Sequence, residues 1–179
     1  MKSPELNSER LVFKPLSIKH CVHEYVSWMN DPEVYRCLES GLNYSIELLY
    51  DFLIDVENKN IYFWAIHLKS NNKHIGNIKI DPISTNNLVG EYGILLGDKS
   101  EWGKGYAAES SLAIIKFCFE IIGLRKVTLG VVADNTAAVA LYKKIGFQQE
   151  GYYKIHSCCS GIFYDVIRMA IFNKYLLEN

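Results

Sequence analysis

The stretch that most constrains this chain runs from Gly93 to Ile122. An apolar strand, Ile94-Leu95-Leu96, enters a polar loop. The loop closes on Trp102-Gly103-Lys104-Gly105-Tyr106-Ala107, and a long apolar helix starts at once. Gly123 ends that helix, and the β-branched run from Lys126 to Val132 reads as the next strand. Strand, helix and strand in this order form a crossover unit, so the two strands run parallel. A helix this apolar buries a wide face, as when it lies across a sheet. Its N-terminus offers unpaired backbone N–H groups and the positive end of a dipole. The glycines before it allow close approach of a ligand. Together they form a cradle for a phosphate or pyrophosphate. The alternative is that Gly103 and Gly105 only turn the chain.

The rest of the pattern completes a layered fold. Arg10 to Leu16 reads as a first strand with Pro15 at its end. Helical spacing of Val22, Tyr25, Val26 and Met29 predicts a helix over about Ser17 to Met29. Asp31-Pro32-Glu33 starts a short helix that stops near Gly41. Ser45 caps a third, with Leu48, Leu49, Phe52, Leu53 and Val56 as its apolar stripe. Tyr62–Leu68, Ile75–Ile80 and Leu88–Leu96 read as an antiparallel meander joined by polar turns. On the central helix two stripes are expected: Ala108, Leu112, Ile115, Phe119 and Ile122, then Ile114, Phe117, Cys118 and Ile121. Asp134-Asn135-Thr136 caps a helix that ends at Gly146. Two strands follow, about Phe147 to His156 and Ile162 to Ile171, turning at Ser160-Gly161. The order βααα-βββ-α-β-α-ββ predicts one domain over residues 1–179, of α+β or mixed α/β class.

Composition narrows the function. The net charge of −1 gives no basic footprint for nucleic acid. No apolar run is long enough to span a membrane and the start does not read as a signal peptide, so a soluble cytoplasmic protein is expected. Five cysteines, Cys21, Cys37, Cys118, Cys158 and Cys159, match no disulfide framework. His156-Ser157-Cys158-Cys159 lacks a paired C-x-x-C, so free thiols are expected and no metal.

Three residues outside the turn carry chemistry. Asn135 and Tyr142 are seven apart, two helical turns, and project from one side with the small Ala138 between them. Either they contact a ligand and donate a proton, or they are an N-cap and a packing residue. Glu91 lies in an apolar strand on the face of Val89 and Gly93. It is either solvated or a cleft carboxylate of raised pKa suited to general-base work. The cradle is neither a nucleotide P-loop, since G-x-x-x-x-G-K-[ST] is absent, nor a dinucleotide fingerprint, since G-x-G-x-x-G is absent.

At this point the residues resemble the GNAT N-acetyltransferase superfamily, in particular its branch acting on ribosomal-protein N-termini. The resemblance covers nearly the whole chain. It is carried by Glu9 to Leu16, Trp28 to Val34, Ile75 to Ile78 and Asp165 to Met169. It is strongest in Trp102-Gly103-Lys104-Gly105-Tyr106-Ala107-Ala108-Glu109 and in Asn135 to Phe147. Gly105 and Ala107 match the last positions of the family's (Arg/Gln)-x-x-Gly-x-(Gly/Ala) motif, while Trp102 replaces the usual Arg or Gln. The loop from Gly97 to Glu101 looks one residue longer than in close relatives.

The resemblance implies a mostly antiparallel seven-stranded sheet, splayed at strands 4 and 5, with helices on both faces. It implies acetyl-CoA as cosubstrate. The pyrophosphate would lie on the N–H groups of Gly103, Lys104, Gly105, Tyr106 and Ala107, with Trp102 beside it. The pantetheine would pair like a strand with Leu95 and Leu96, and Asn135 would touch that arm. Tyr142 would protonate the leaving thiolate, and Glu91 would accept the amine's proton directly or through water. An ammonium cannot attack a thioester, so such a proton acceptor is needed, and a backbone N–H near Leu95 or Leu96 would hold the oxyanion. Direct attack needs no acyl-enzyme, so no cysteine is nominated as nucleophile. The expected acceptor is a small-molecule amine or amino sugar, with a protein N-terminus as alternative and a non-catalytic CoA-binding fold as a third reading. A monomer or homodimer is expected. Trp28, Tyr35, Tyr44, Trp64, Tyr152, Tyr153 and Tyr164 are the aromatics from which a few would line the acceptor cleft.

Overall fold

The computed structural model describes residues 3–35, 43–159 and 161–174. The expected helix end near Gly41, Cys37 and the Ser160 half of the last turn lie outside the described residues. The strands are β1 (Leu6–Asn7), β2 (Leu11–Pro15), β3 (Tyr62–Leu68), β4 (His74–Ser84), β5 (Val89–Leu96), β6 (Lys126–Val132), β7 (Gln148–Cys159) and β8 (Ile162–Phe172). The helices are α1 (His23–Asn30), α2 (Pro32–Tyr35), α3 (Ile46–Asn58), α4 (Tyr106–Phe117) and α5 (Thr136–Lys144). The sheet order is β1-β2-β3-β4-β5-β6-β8-β7.

All neighbours are antiparallel except β5 and β6, which are parallel as the crossover requires. The sheet therefore has eight strands among the described residues rather than seven. The extra one is the short Leu6–Asn7, which pairs with Phe13 and Val12 but carries too few residues to show periodicity. Counting it moves the splay from strands 4 and 5 to β5 and β6. The segment expected as one helix from Ser17 is instead a 3-10 turn, Ile18–His20, followed by α1.

Alternation along β3 separates two cores. Trp64 and Ile66 face a cluster with Ile114, Ile115, Phe117 and Cys118, so α4 covers that face. Ala65 faces the other cluster, with Trp28, Leu49, Leu53 and Val56 from α1 and α3. Helices thus lie on both faces. Trp64 is fully buried and donates its indole N–H to the Pro4 carbonyl at 2.7 Å. Truncating such a side chain typically costs about 3–5 kcal/mol.

Two stripes differ from expectation. On α3, Ser45 accepts the Leu48 N–H as an N-cap should, but the Leu48 side chain is exposed. On α4 the buried face is Ser111, Ile114, Ile115 and Cys118, an i, i+3, i+4, i+7 set, with Ser110 and Phe117 beside it. Leu112 and Ile121 point outward at 50% and 72% exposure. Ser111 meets Tyr92 of β5 at 2.7 Å, a polar contact between α4 and the sheet that no apolar count shows.

Candidate active site

The parallel pairing of β5 and β6 covers only Val89 with Lys126, Gly90 with Val127 and Glu91 with Thr128. Beyond Glu91 the strands separate, while β5 stays paired to β4 as far as Leu96 and β6 to β8 as far as Val132. A one-sided edge of β5 therefore faces an opening. Gly97 N–H bonds the Ile75 carbonyl, and the Leu95 carbonyl lies against Gly76 of β4. Alternation then turns the backbone groups of Ile94 and Leu96 into the opening, and those of Leu95 away from it. Leu95 instead packs its side chain into the α1–α3 core. The open edge is thus Ile94 and Leu96 rather than Leu95 and Leu96. The Leu96 carbonyl accepts the Trp102 indole N–H at 2.8 Å.

The glycine turn sits at the far end of this edge. Gly103 and Gly105 have φ of 76° and 84°, in the left-handed region that favours glycine. Gly105 is the N-cap of α4, so no side chain caps the first N–H groups of the helix. A Cβ at Gly103 would meet nothing within 4 Å. The approach to the helix N-terminus is open, as an anion cradle requires. Lys104 directs its ammonium to Glu101 at 2.8 Å, leaving its backbone as its offering. Tyr106 lies under the Arg10 guanidinium, 4.4 Å from the ring centroid. Arg10 also donates to the Lys104 carbonyl at 3.0 Å and to Glu109 at 2.7 Å. That brace fixes the turn against β2, and the Ala107 carbonyl is fixed in turn by Ser111. The residues present fit a pyrophosphate-bearing group. Arg10 was missed by sequence reading as a part of the site, because its partner Glu109 lies 99 residues away.

Asn135 is the N-cap of α5 and Tyr142 lies within that helix. Asn135 accepts the Ala138 N–H at 3.2 Å as an N-cap. Tyr142 is buried against Tyr92 and Phe147, with ring centroids at 5.9 and 5.6 Å. Burial pushes its phenol up to about 12, so it stays protonated at neutral pH. Beside it Tyr92 donates to Ser111 at 2.7 Å. Both tyrosines lie on the α4 face of the sheet.

Glu91 lies on the opposite face, and its surroundings differ from those of a raised-pKa base. Arg168 of β8 reaches across β6 to hold both carboxylate oxygens, at 2.7 and 2.6 Å. Thr128 donates a further bond at 2.5 Å. Burial raises the Glu91 pKa, but the Arg168 and Thr128 hydrogen bonds and the guanidinium charge outweigh it, and the net direction is down. Gly130 makes this reach possible: a Cβ there would fall 2.9 Å from an Arg168 nitrogen. Arg168 was named only within the terminal match, and its pairing to Glu91 is a product of strand order alone.

Of the aromatics, Trp64 is core, and Trp28 is buried with its ring 4.9 Å from that of His74. Tyr152 is exposed and donates to Asp165 at 2.6 Å. Among the described residues Cys21, Cys118 and Cys158 are free thiols, the Cys159 thiol donates to the Tyr35 carbonyl at 3.8 Å, and burial pushes the Cys118 thiol up to about 12, which makes it inert. Among the described residues no helix is long and apolar enough to cross a membrane.

Comparison with known proteins agrees with this architecture. A curated relative, spermidine N(1)-acetyltransferase of Vibrio cholerae, is 30% identical over 132 residues, covering 71% of this chain and 76% of that protein. The uncharacterized N-acetyltransferase p20 of Bacillus licheniformis is 24% identical over 94% of this chain and 96% of its own. Among solved structures, the Vibrio cholerae spermidine N-acetyltransferase in complex with CoA and spermine superposes with a TM-score of 0.83 at 22% identity, covering 93% and 98% of the two chains. A GNAT-family acetyltransferase from Bacillus anthracis gives 0.81 at 23% identity, covering 94% and 98%. A family model described as an acetyltransferase (GNAT) domain matches residues 10–148. With its splayed β5 and β6 and its glycine turn on α4, the chain belongs to the GNAT acetyltransferase family.

Proposed function

We propose that this protein transfers the acetyl group of acetyl-CoA to the primary amine of a small molecule or amino sugar, by direct attack in a ternary complex. The observation that carries the reading is the continuous path from the open β5 edge at Ile94 and Leu96 to the uncapped N-terminus of α4 at Gly105. Acetyl-CoA supplies an activated acyl group on a thiol leaving group. The residues of this chain do the rest. Backbone N–H groups of Gly103 to Ala107 receive the pyrophosphate without a cationic side chain, so Trp102 in place of Arg or Gln does no harm. The open β5 edge pairs with the pantetheine amides, and Asn135 lies at the start of α5 facing the same arm. Tyr142, which stays protonated, gives its proton to the departing thiolate. Its own acidity is too weak for it to serve as the base.

The Glu91 carboxylate is ionised, but its oxygens are already engaged, and a carboxylate of lowered pKa is a weak base. It is therefore read as holding the acceptor side of the cleft in shape, with water as the first proton acceptor. A protein N-terminus remains the alternative acceptor; the curated relatives above are named for spermidine or for no acceptor, which favours a small amine.

An acetyl-CoA turnover screen over amino sugars, polyamines and N-terminal peptides, read by thiol release, tests the reading. The Gly105→Val variant should lose acetyl-CoA affinity by at least about tenfold, since it strains the left-handed turn and sets a branched side chain against the Arg10 guanidinium that braces it. Wild-type affinity by calorimetry in a folded Gly105→Val protein would place the cofactor elsewhere.

A further inference from the structure

The floor of the cleft on the Glu91 face carries two cations and one carboxylate. Arg168 comes from β8 over Gly130, as described. Lys79 comes from the other side, from β4, where it is paired with Gly93 of β5. A Cβ at Gly93 would lie 3.3 Å from Lys79 Cε and 3.4 Å from Cγ, so the lysine stem lies flat over that glycine. Gly93 is two residues past Glu91 on the same face, in the part of β5 that has left β6. The Lys79 charge acts on Glu91 without bonding to it.

Of the other acids near this floor, Glu150 bonds Lys126 at 2.6 Å. Asp81 follows Lys79 on β4 and forms no ion pair with it; Lys59, on which the Asp81 charge acts from a distance, is itself paired with Asp55. Arg168 satisfies Glu91 with both terminal nitrogens, helped by Thr128. The Lys79 ammonium has no hydrogen-bond or ion-pair partner among the described residues. A half-buried cation at the point where the strands part favours a negatively charged group beside it. A polyamine, which carries only positive charge, would meet two cations and one carboxylate already in use.

We propose that the acceptor amine also bears an acidic group, a carboxylate or a phosphate, which the Lys79 ammonium receives beside the Glu91–Arg168 pair. The acceptor's amine then lies toward Ile94 and Leu96, on the open edge of β5. This rests on the acetyl-transfer reading and names the acceptor class within it. Glycine at positions 93 and 130 keeps the floor low enough for both cations to lie flat beneath a ligand.

The test pairs substrates that differ only in the acidic group. Glucosamine 6-phosphate is set against glucosamine, and lysine against cadaverine, with spermidine as the purely cationic probe. Calorimetric binding to the CoA-loaded protein is measured beside turnover. The acidic member of at least one pair should bind more tightly, and the pair that responds tells phosphate from carboxylate. Lys79→Met should weaken that binding roughly 10- to 100-fold and leave CoA affinity and Tm unchanged. Binding that depends on Lys79 without turnover of any amine would uphold this site and count against the transferase reading. Preferred binding of spermidine, equal binding within both pairs, or an unchanged Lys79→Met protein would overturn it.

Discussion

Tyr92 and Glu91 are neighbours in β5, yet the two faces they open onto set ionisation by different means. On the α4 face burial decides: Tyr142 packs among aromatic rings and is pushed up to about 12 with no charge to oppose it. On the other face a partner decides: burial would raise Glu91, and Arg168 and Thr128 bring it down. The first face therefore keeps a proton ready to give. The second holds a charge fixed and has no proton to trade near neutrality. In the proposed reaction the first side protonates the leaving group and the second seats the acceptor.

The largest expected effect breaks the first half of that contrast. Tyr142→Phe keeps the ring packing and removes the proton, so kcat should fall roughly 10²-fold while both KM values stay near wild type. An unchanged kcat would make Tyr142 a packing residue. The same variant should leave Tm almost untouched, because the hydroxyl has no hydrogen-bond partner among the described residues to lose.

The second half is tested by Arg168→Met. Leaving a half-buried carboxylate without its cation should cost about 1–2 kcal/mol after allowance for solvent, roughly 2–8 °C in Tm. Because the folded Glu91 pKa is depressed, this stabilisation is present above the ordinary carboxylate value of 4.5 and is lost as pH falls through the folded value. The Tm gap between wild type and Arg168→Met should therefore be widest at neutral pH and close below about pH 4.5. A gap that is constant with pH would mean that the pair stabilises by packing alone. Glu91→Gln should change KM for the acceptor more than kcat, and its pH–rate profile should run parallel to wild type. Rescue of its activity by alkaline pH would return Glu91 to the proton path.

The smallest effect sharpens the contrast at a third place, under α1. His20, His67 and His74 cluster there, with His20 Nε2 3.2 Å from His67 Nε2 and the His67 and His74 rings stacked at 5.1 Å. Burial lowers all three, His74 to about 3, so the cluster is neutral in the fold. A histidine lowered by folding gives stability that is present above its ordinary value of 6.5 and lost as pH falls toward the folded value. Tm should decline from pH 6.5 downward, and His74→Gln should flatten part of that decline without altering turnover at neutral pH. Equal acid limbs in both proteins would show that the cluster does not govern acid stability.

Much of this was legible without coordinates. The crossover from Ile94 to Val132, the parallel pair within it and the turn at Gly103 and Gly105 follow from local rules of chain sense, apolar length and glycine geometry, which act over a few residues. The Asp134-Asn135-Thr136 cap and the helix that carries Tyr142 follow from local capping chemistry in the same way. The short β1 and the outward turn of Leu112 were not legible, since two residues show no period and a helix this apolar offers more than one stripe. Nor could the sequence tell whether Glu91 was a raised-pKa base or a paired charge. That depended on Arg168, 77 residues away, reaching it over Gly130 across an intervening strand. Local pattern fixes what a segment becomes because its forces are between near neighbours. The state of a charge depends on whatever the sheet order brings beside it, and only the assembled strands set that order.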